Sequence, residues 1–207
     1  ARFGRLEARR MDRFAALARA AAEEAVVDAG LDLPGPDPER VGVYVGTGIG
    51  GIGTLFEASR TFLAEGPRSL SPFFLPRVLA NMGAAQVALR FGARGPCLCV
   101  GTACAAGTHA LGEAWRALRA GDADVVLAGG AEAAISPLAV AGFMAMKVLS
   151  RRNDDPVHAS RPFDAGRDGF VLGEGAAVLV LEAWEHAVRR GARIHAELAG
   201  YALTCDA

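Results

Sequence analysis

The run Val100-Gly-Thr-Ala-Cys-Ala-Ala-Gly-Thr108 leaves the backbone few paths to follow. Ahead of it lies the β-prone stretch Cys97-Leu-Cys-Val100, and after it residues 110–120 repeat their apolar positions at helical spacing. A strand must therefore turn sharply into a helix around Cys104. Gly101, Ala103, Ala105, Ala106 and Gly107 leave room for a tight elbow that holds the sulfur clear of the backbone. A thiol placed there meets the positive end of the peptide dipoles, which favours the thiolate and raises its nucleophilicity. The competing reading is a buried structural cysteine, which has no need of an elbow built from small residues.

The rest of the chain alternates helical and strand patterns. Met11, Phe14, Leu17, Ala21, Ala25 and Ala29 recur at helical spacing, and Gly30 is placed to cap that helix. Residues 31–40, with three prolines and a glycine, read as a loop, and 41–45 read as a buried strand running into the glycine-rich stretch 46–53. Helices are expected over 55–65, stopped by Gly66-Pro67, and over 78–91, with an irregular apolar loop at 69–76 between them. Strands follow at 97–100, 125–128, 176–181 and 194–198. Helices are expected at 110–120, 136–147 and 184–190, and 151–169 is a long polar connection. Strands alternating with helices predict a layered α/β fold with a mostly parallel sheet.

With 207 residues and 52% hydrophobic content the chain can bury one sizeable core. Its 22 basic and 23 acidic residues leave a net charge of −1, so bulk charge argues for neither a nucleic-acid nor a membrane partner. The sequence has no apolar run of membrane-spanning length and no signal-peptide pattern at its start. Four irregularly spaced cysteines do not make a disulfide framework, and the default setting is reducing and cytoplasmic. Cys97 and Cys99 alternate along a strand, which predicts two small core residues on one face; no further ligands at metal-site spacing accompany them. The chain opens without Met on a nearly helical segment and stops shortly after a strand pattern, so it reads as a fragment.

Gly46-x-Gly48-x-x-Gly51 follows a strand and precedes a helix, which is the dinucleotide-binding pattern. The acidic residue expected at the end of a second strand is missing, and an aromatic-proline loop around Phe73 and Phe74 comes next instead. A dinucleotide-binding module remains the alternative from a different class, separable by titration with nicotinamide cofactors.

Four segments together resemble the β-ketoacyl-[acyl-carrier-protein] synthases of the thiolase-like superfamily, nearest to the KAS II type of bacterial fatty-acid elongation. They are Gly101-Thr-Ala-Cys-Ala-Ala-Gly107, Gly121-Asp-Ala-Asp-Val-Val-Leu-Ala-Gly-Gly-Ala-Glu132, Ser160-Arg-Pro-Phe-Asp164 and Arg167-Asp-Gly-Phe-Val-Leu-Gly-Glu-Gly175. The similarity runs from the first helix to Ala207. It implies a thiolase-like layered α/β/α/β/α fold of which residues 1–207 are the N-terminal synthase domain, lacking the family's first strand and its C-terminal half.

The resemblance also implies roles. Cys104 matches the nucleophile that takes the acyl chain as a thioester. Ile49, Phe143 and Phe170 match positions at the acyl pocket, and Phe74 matches one reaching toward the partner subunit's pocket in the family dimer. Arg9, Arg10, Arg68 and Lys147 resemble the basic patch that docks the acidic carrier protein; as scattered surface charges they equally fit a merely solvated face. The implied reaction is a decarboxylative condensation with malonyl-carrier protein, an acyltransferase step of fatty-acid biosynthesis that uses carrier-bound phosphopantetheine substrates and no metal or other cofactor. In this family two histidines stabilise the enolate, and none of His109, His158, His186 and His195 fits that role. His109, about 140° around a helix from Cys104, is expected to point elsewhere. Those histidines, the catalytic lysine and the second oxyanion donor belong to the absent half, so the isolated chain is expected to be unable to condense. A polyketide ketosynthase shares the fold and the cysteine and stays as the alternative. A non-catalytic chain-length partner is disfavoured, because such subunits lack the cysteine.

Overall fold

The computed structural model describes residues 3–205. A short helix α1 (Arg5–Ala8) precedes α2 (Arg13–Asp28), β1 (Val41–Gly46) and α3 (Ile52–Glu65). Then come α4 (Phe74–Val78), α5 (Met82–Phe91), β2 (Cys97–Leu98) and α6 (Ala106–Ala120). The last elements are β3 (Val125–Ala133), α7 (Pro137–Ala145), β4 (Glu174–Glu182) and α8 (Trp184–Arg189).

The strands form one sheet in the order β2-β1-β3-β4. β2, β1 and β3 run parallel, and β4 pairs antiparallel with β3 along all nine residues, from Val125 opposite Glu182 to Ala133 opposite Glu174. Both faces of β1 are buried, as a parallel strand between two helical layers requires. Alternation along the strand sends Val43 and Val45 to one side and Tyr44 to the other. On the first side α2 and α5 cover the sheet, with Ala18, Ala22, Val26, Ala84, Val87 and Phe91 against Leu127, Ala131 and Val178. On the second side α6 lays Ala110, Ala114 and Ala117 against Tyr44, Val126 and Ala128. The alanines of α2 and α6 let those helices pack against the sheet.

Asp12, buried at the start of α2, accepts the Phe14 N–H and the Thr54 hydroxyl. It thereby caps α2 and ties it to α3. The buried stripe of α2 is Phe14, Ala18, Ala22 and Val26; Leu17, Ala21 and Ala25 of the expected stripe lie at its partly buried flank.

Several expectations are corrected. The expected helix 78–91 starts only at Met82, because Leu79 adopts an extended conformation that ends α4, and the loop at 69–76 contains the first turn of that helix. β2 is two residues long, and Cys97 is exposed while Cys99 is half-buried, so the two are not paired core residues. β3 and β4 both extend past their expected ends, since each supplies the other's hydrogen-bond partners. Residues 194–198 have a strand-like alternation but no ladder partner among the described residues, and they remain irregular. No helix of the described residues is long and apolar enough to cross a membrane.

Glu182, at the end of β4, is bonded by Arg190 Nε at 2.8 Å and by His186 Nδ1 at 2.7 Å, while Arg190 Nη1 donates to the Ala29 carbonyl at 3.0 Å. This links β4, the end of α8 and the end of α2. Burial opposes the Glu182 charge, but the bonds from Arg190 and His186 outweigh it and hold the carboxyl below its ordinary 4.5. A carboxyl depressed in the folded state stabilises the fold above the unfolded value, and the stabilisation is lost as pH falls through the folded value. The wild type is therefore expected to exceed Glu182→Gln by about 2 kcal/mol at neutral pH, and the gap should close on acidification below 4.5. Denaturant midpoints of both proteins across this range test it; a gap independent of pH would contradict it.

Candidate active site

The carboxyl ends of β1 and β3 meet the amino end of α6, the position where open α/β sheets place their sites. Three glycines make the meeting possible. A Cβ on Gly46, the last residue of β1, would lie 2.2 Å from the Ala106 carbonyl oxygen, and one on Gly130 of β3 would lie 3.0 Å from Gly107 Cα. The first turn of α6 thus sits directly on two strand ends.

Between β2 and α6 the chain makes the expected elbow. The Val100 carbonyl accepts the Thr47 N–H at 3.2 Å, and residues 103–105 form a single 3-10 turn leading into α6. Ala103 has φ 49°, a left-handed conformation that is uncommon for a residue bearing a Cβ. Cys104, the next residue, is exposed. The helix begins at Ala106 rather than at 110, so wheel arithmetic from Cys104 to His109 does not apply across the turn. His109 reaches back to the elbow: its Nδ1 lies 2.8 Å from the Thr102 hydroxyl, and its ring meets Tyr201 edge-on at 6.1 Å. His158 is bonded to Asp155, and His195 lies 3.4 Å from Asp28 near the surface.

The glycine-rich loop after β1 is held by a side chain to which sequence reading assigned no role. Glu132 accepts the Thr47 hydroxyl at 3.0 Å, the Gly48 N–H at 2.7 Å and the Ile49 N–H at 3.1 Å. The carboxylate occupies the amides that would cradle a phosphate, which removes the basis for the dinucleotide reading. A signal was available: in a parallel pairing that sets Gly46 opposite Gly130, residue 132 extends over the loop that leaves β1. Cys99, beside this cluster, has its thiol pushed up by partial burial and by the Glu132 charge, with the Thr47 N–H acting against them.

Ile49 projects from this loop and is partly exposed. The loop touches the elbow, since a Cβ on Gly48 would lie 3.6 Å from Ala103 Cα. It also touches the end of α4, where the Gly51 N–H donates to the Val78 carbonyl at 3.2 Å. Half-buried Phe74 opens that same short helix. Phe143 and Phe170 form an edge-to-face pair with centroids 5.4 Å apart. Phe170 is fixed by its N–H to Val148 and by its carbonyl to the Ser150 N–H. Asp168, bonded by the Arg151 N–H and the Ser150 hydroxyl, braces the turn just before it.

Of the four basic residues, Arg10 lies over the Phe73 ring at 5.5 Å, which brings it beside the Phe74 helix. Arg9 is exposed next to it, and Arg68 is exposed in the 3-10 turn that precedes the Phe73 loop. Lys147 is exposed on a different element, at the turn after α7, with φ 59°.

Comparison with known proteins bears on the family and the fold. Residues 1–187 match the family model for the N-terminal domain of beta-ketoacyl synthases. A 3-oxoacyl-[acyl-carrier-protein] synthase 2 of Synechocystis sp. is 50% identical over 98% of this chain and 49% of its own length, and that of Vibrio harveyi is 50% identical over 97% and 48%. A type II PKS ketosynthase solved with its acyl-carrier protein superposes with a TM-score of 0.86 at 36% identity, over 91% of this chain and 48% of that one. The sheet and its helical layers are those of the thiolase-like ketosynthases, and the chain spans about half the length of the relatives it matches. It belongs to the β-ketoacyl synthase family.

Proposed function

We propose that this chain is the nucleophile-bearing N-terminal domain of a 3-oxoacyl-[acyl-carrier-protein] synthase and that Cys104 accepts the acyl chain. The observation that carries this is the exposure of Cys104 on a strained turn at the strand ends, with the pinned Ile49 loop against that turn. The Cys104 thiolate attacks the carrier thioester carbonyl, the bond to the phosphopantetheine sulfur breaks, and the freed thiolate takes up the proton. The Cys104 N–H, in the turn that leads into α6, supplies one donor to the oxyanion. In the second half-reaction, decarboxylation of malonyl-carrier protein supplies the carbanion that attacks the Cys104 thioester, and the acyl chain leaves the sulfur lengthened by two carbons.

Ile49, Phe143 and Phe170 line the acyl pocket, and Phe74 extends toward that of a second subunit in a homodimer. Arg10, which lies over the Phe73 ring, its chain neighbour Arg9, Arg68 in the turn before that loop, and Lys147 dock the acidic carrier protein. This chemistry calls for no metal or resident cofactor, and the free thiols suit the reducing cytoplasm. Groups that stabilise the enolate lie outside residues 1–207, so these residues alone are expected not to condense. A polyketide ketosynthase is the second reading, favoured by the structural neighbour solved with a polyketide carrier protein. The 50% identity to elongation enzymes favours the fatty-acid assignment over it.

The test is intact mass of the full-length natural protein after incubation with acyl-loaded carrier protein, followed by peptide mapping. An acyl-sized gain on the peptide containing Cys104 is expected. Absence of any gain in a folded dimer would overturn the assignment and move weight to a non-catalytic partner role.

A further inference from the structure

We infer that Glu132 is a positioning residue that sets the acyl-chain selectivity of the site by fixing Ile49 relative to Cys104. The inference rests on the function proposed above. Glu132 stands on β3 two residues beyond Gly130, which pairs with the last residue of β1. Its carboxylate bonds the hydroxyl of Thr47 and the consecutive N–H groups of Gly48 and Ile49, and the Thr47 oxygen accepts the Gly50 N–H at 3.1 Å. One charge and one hydroxyl thus hold four successive residues of a glycine-rich loop that would otherwise have wide conformational freedom.

The carboxylate and the elbow meet at one point of the loop. A Cβ on Gly48 would lie 2.8 Å from Glu132 Oε2 and 3.6 Å from Ala103 Cα. The clamped loop therefore lies against the elbow that presents Cys104. Ile49, whose N–H is the last the carboxylate takes, carries a side chain still 41% exposed. Its placement rests on its backbone rather than on side-chain packing. Releasing the carboxylate lets Ile49 move against Cys104, so the space available to an acyl chain changes while the sulfur stays in place.

The experiment compares wild type, Glu132→Gln and Glu132→Ala in the full-length natural protein. Rates of Cys104 acylation are measured with carrier protein bearing short, medium and long saturated chains, alongside amide hydrogen exchange at Gly48 and Ile49 and thermal midpoints. Glu132→Gln keeps the shape and loses the charge, so it carries the test if the alanine variant does not fold. Exchange at the two amides is expected to rise about tenfold or more. The ratio of long-chain to short-chain acylation rates is expected to shift about tenfold, a change in profile that a uniform loss of folded protein does not produce. Faster exchange with an unchanged ratio would overturn the selectivity role, and unchanged exchange would overturn the clamp. If wild type takes up no chain of any length, the acyl-transfer reading falls and the selectivity role with it. The exchange rates separate that failure from failure of the clamp.

Discussion

Replacing Cys104 with alanine is expected to abolish covalent capture of the acyl chain, a fall on the order of 10⁶ in acyl transfer. The size follows from the chemistry. A thioester exchange has no route without a nucleophile to carry the acyl group between its two half-reactions, and neighbouring residues supply only orientation and oxyanion stabilisation. Cys104→Ser preserves the shape of the elbow but offers a hydroxyl in place of a thiol, so it is expected to be nearly as inactive. The chain's other cysteines provide the control. Cys97, Cys99 and Cys205 lie outside the elbow, and a variant with all three replaced by alanine should still be acylated. Mass spectrometry of each protein after exposure to acyl-carrier protein reads the result. Acylation that persists in Cys104→Ala and disappears in the triple variant would relocate the nucleophile.

Gly46→Ala is expected to be strongly destabilising and to disturb the site. Its Cβ would stand 2.2 Å from the Ala106 carbonyl oxygen, 2.3 Å from the Ala106 carbonyl carbon and 2.8 Å from the Gly107 nitrogen. These are backbone atoms of the first turn of α6, so no side chain can rotate away to relieve the clash. The helix must lift from the strand, opening the contact of Ala110 and Ala114 with Tyr44. Overpacking against backbone costs about 3 kcal/mol or more, which for a chain of this size lowers Tm by about 6–12 °C. The same displacement moves the elbow that precedes the helix, and a shift of about 1 Å in a reacting group lowers the rate by about 10²-fold. Gly53→Ala is the matched control, since α3 has open space around that position and alanine favours a helix. Thermal unfolding of the two variants together with wild type tests this; equal midpoints for Gly46→Ala and wild type would contradict it.

Local patterns were legible because short-range physics decides them. The stop of α3 at Gly66, the buried strand at Val41–Gly46 and the elbow around Cys104 follow from residues within a few positions of one another. Where a boundary depended on a distant partner, sequence reading fell short. β3 and β4 run longer than their apolar cores because each completes the other's hydrogen bonds. Residues 194–198 carry the alternation of a strand without a neighbour to pair with among the described residues. Cys97, expected in the core, is exposed on the short edge strand β2. Burial of such a residue is settled by what packs over the strand rather than by its own polarity.

The site divides in the same way. The identity of Cys104, the small residues around it and the glycines after β1 are written in the chain, because an elbow and a tight loop tolerate few other residue types. The loop itself was ambiguous, since glycines at that spacing serve a phosphate or a carboxylate equally well. Only the parallel pairing of β1 with β3 brings Glu132 over the amides of Gly48 and Ile49, across more than eighty positions of sequence, and closes the loop to a phosphate. The return of His109 to Thr102 likewise depends on where α6 begins. Residue chemistry and local backbone freedom were determined by the sequence itself. Which groups meet was decided by the tertiary structure, because contacts between distant segments depend on how the sheet is ordered and how closely its helices approach.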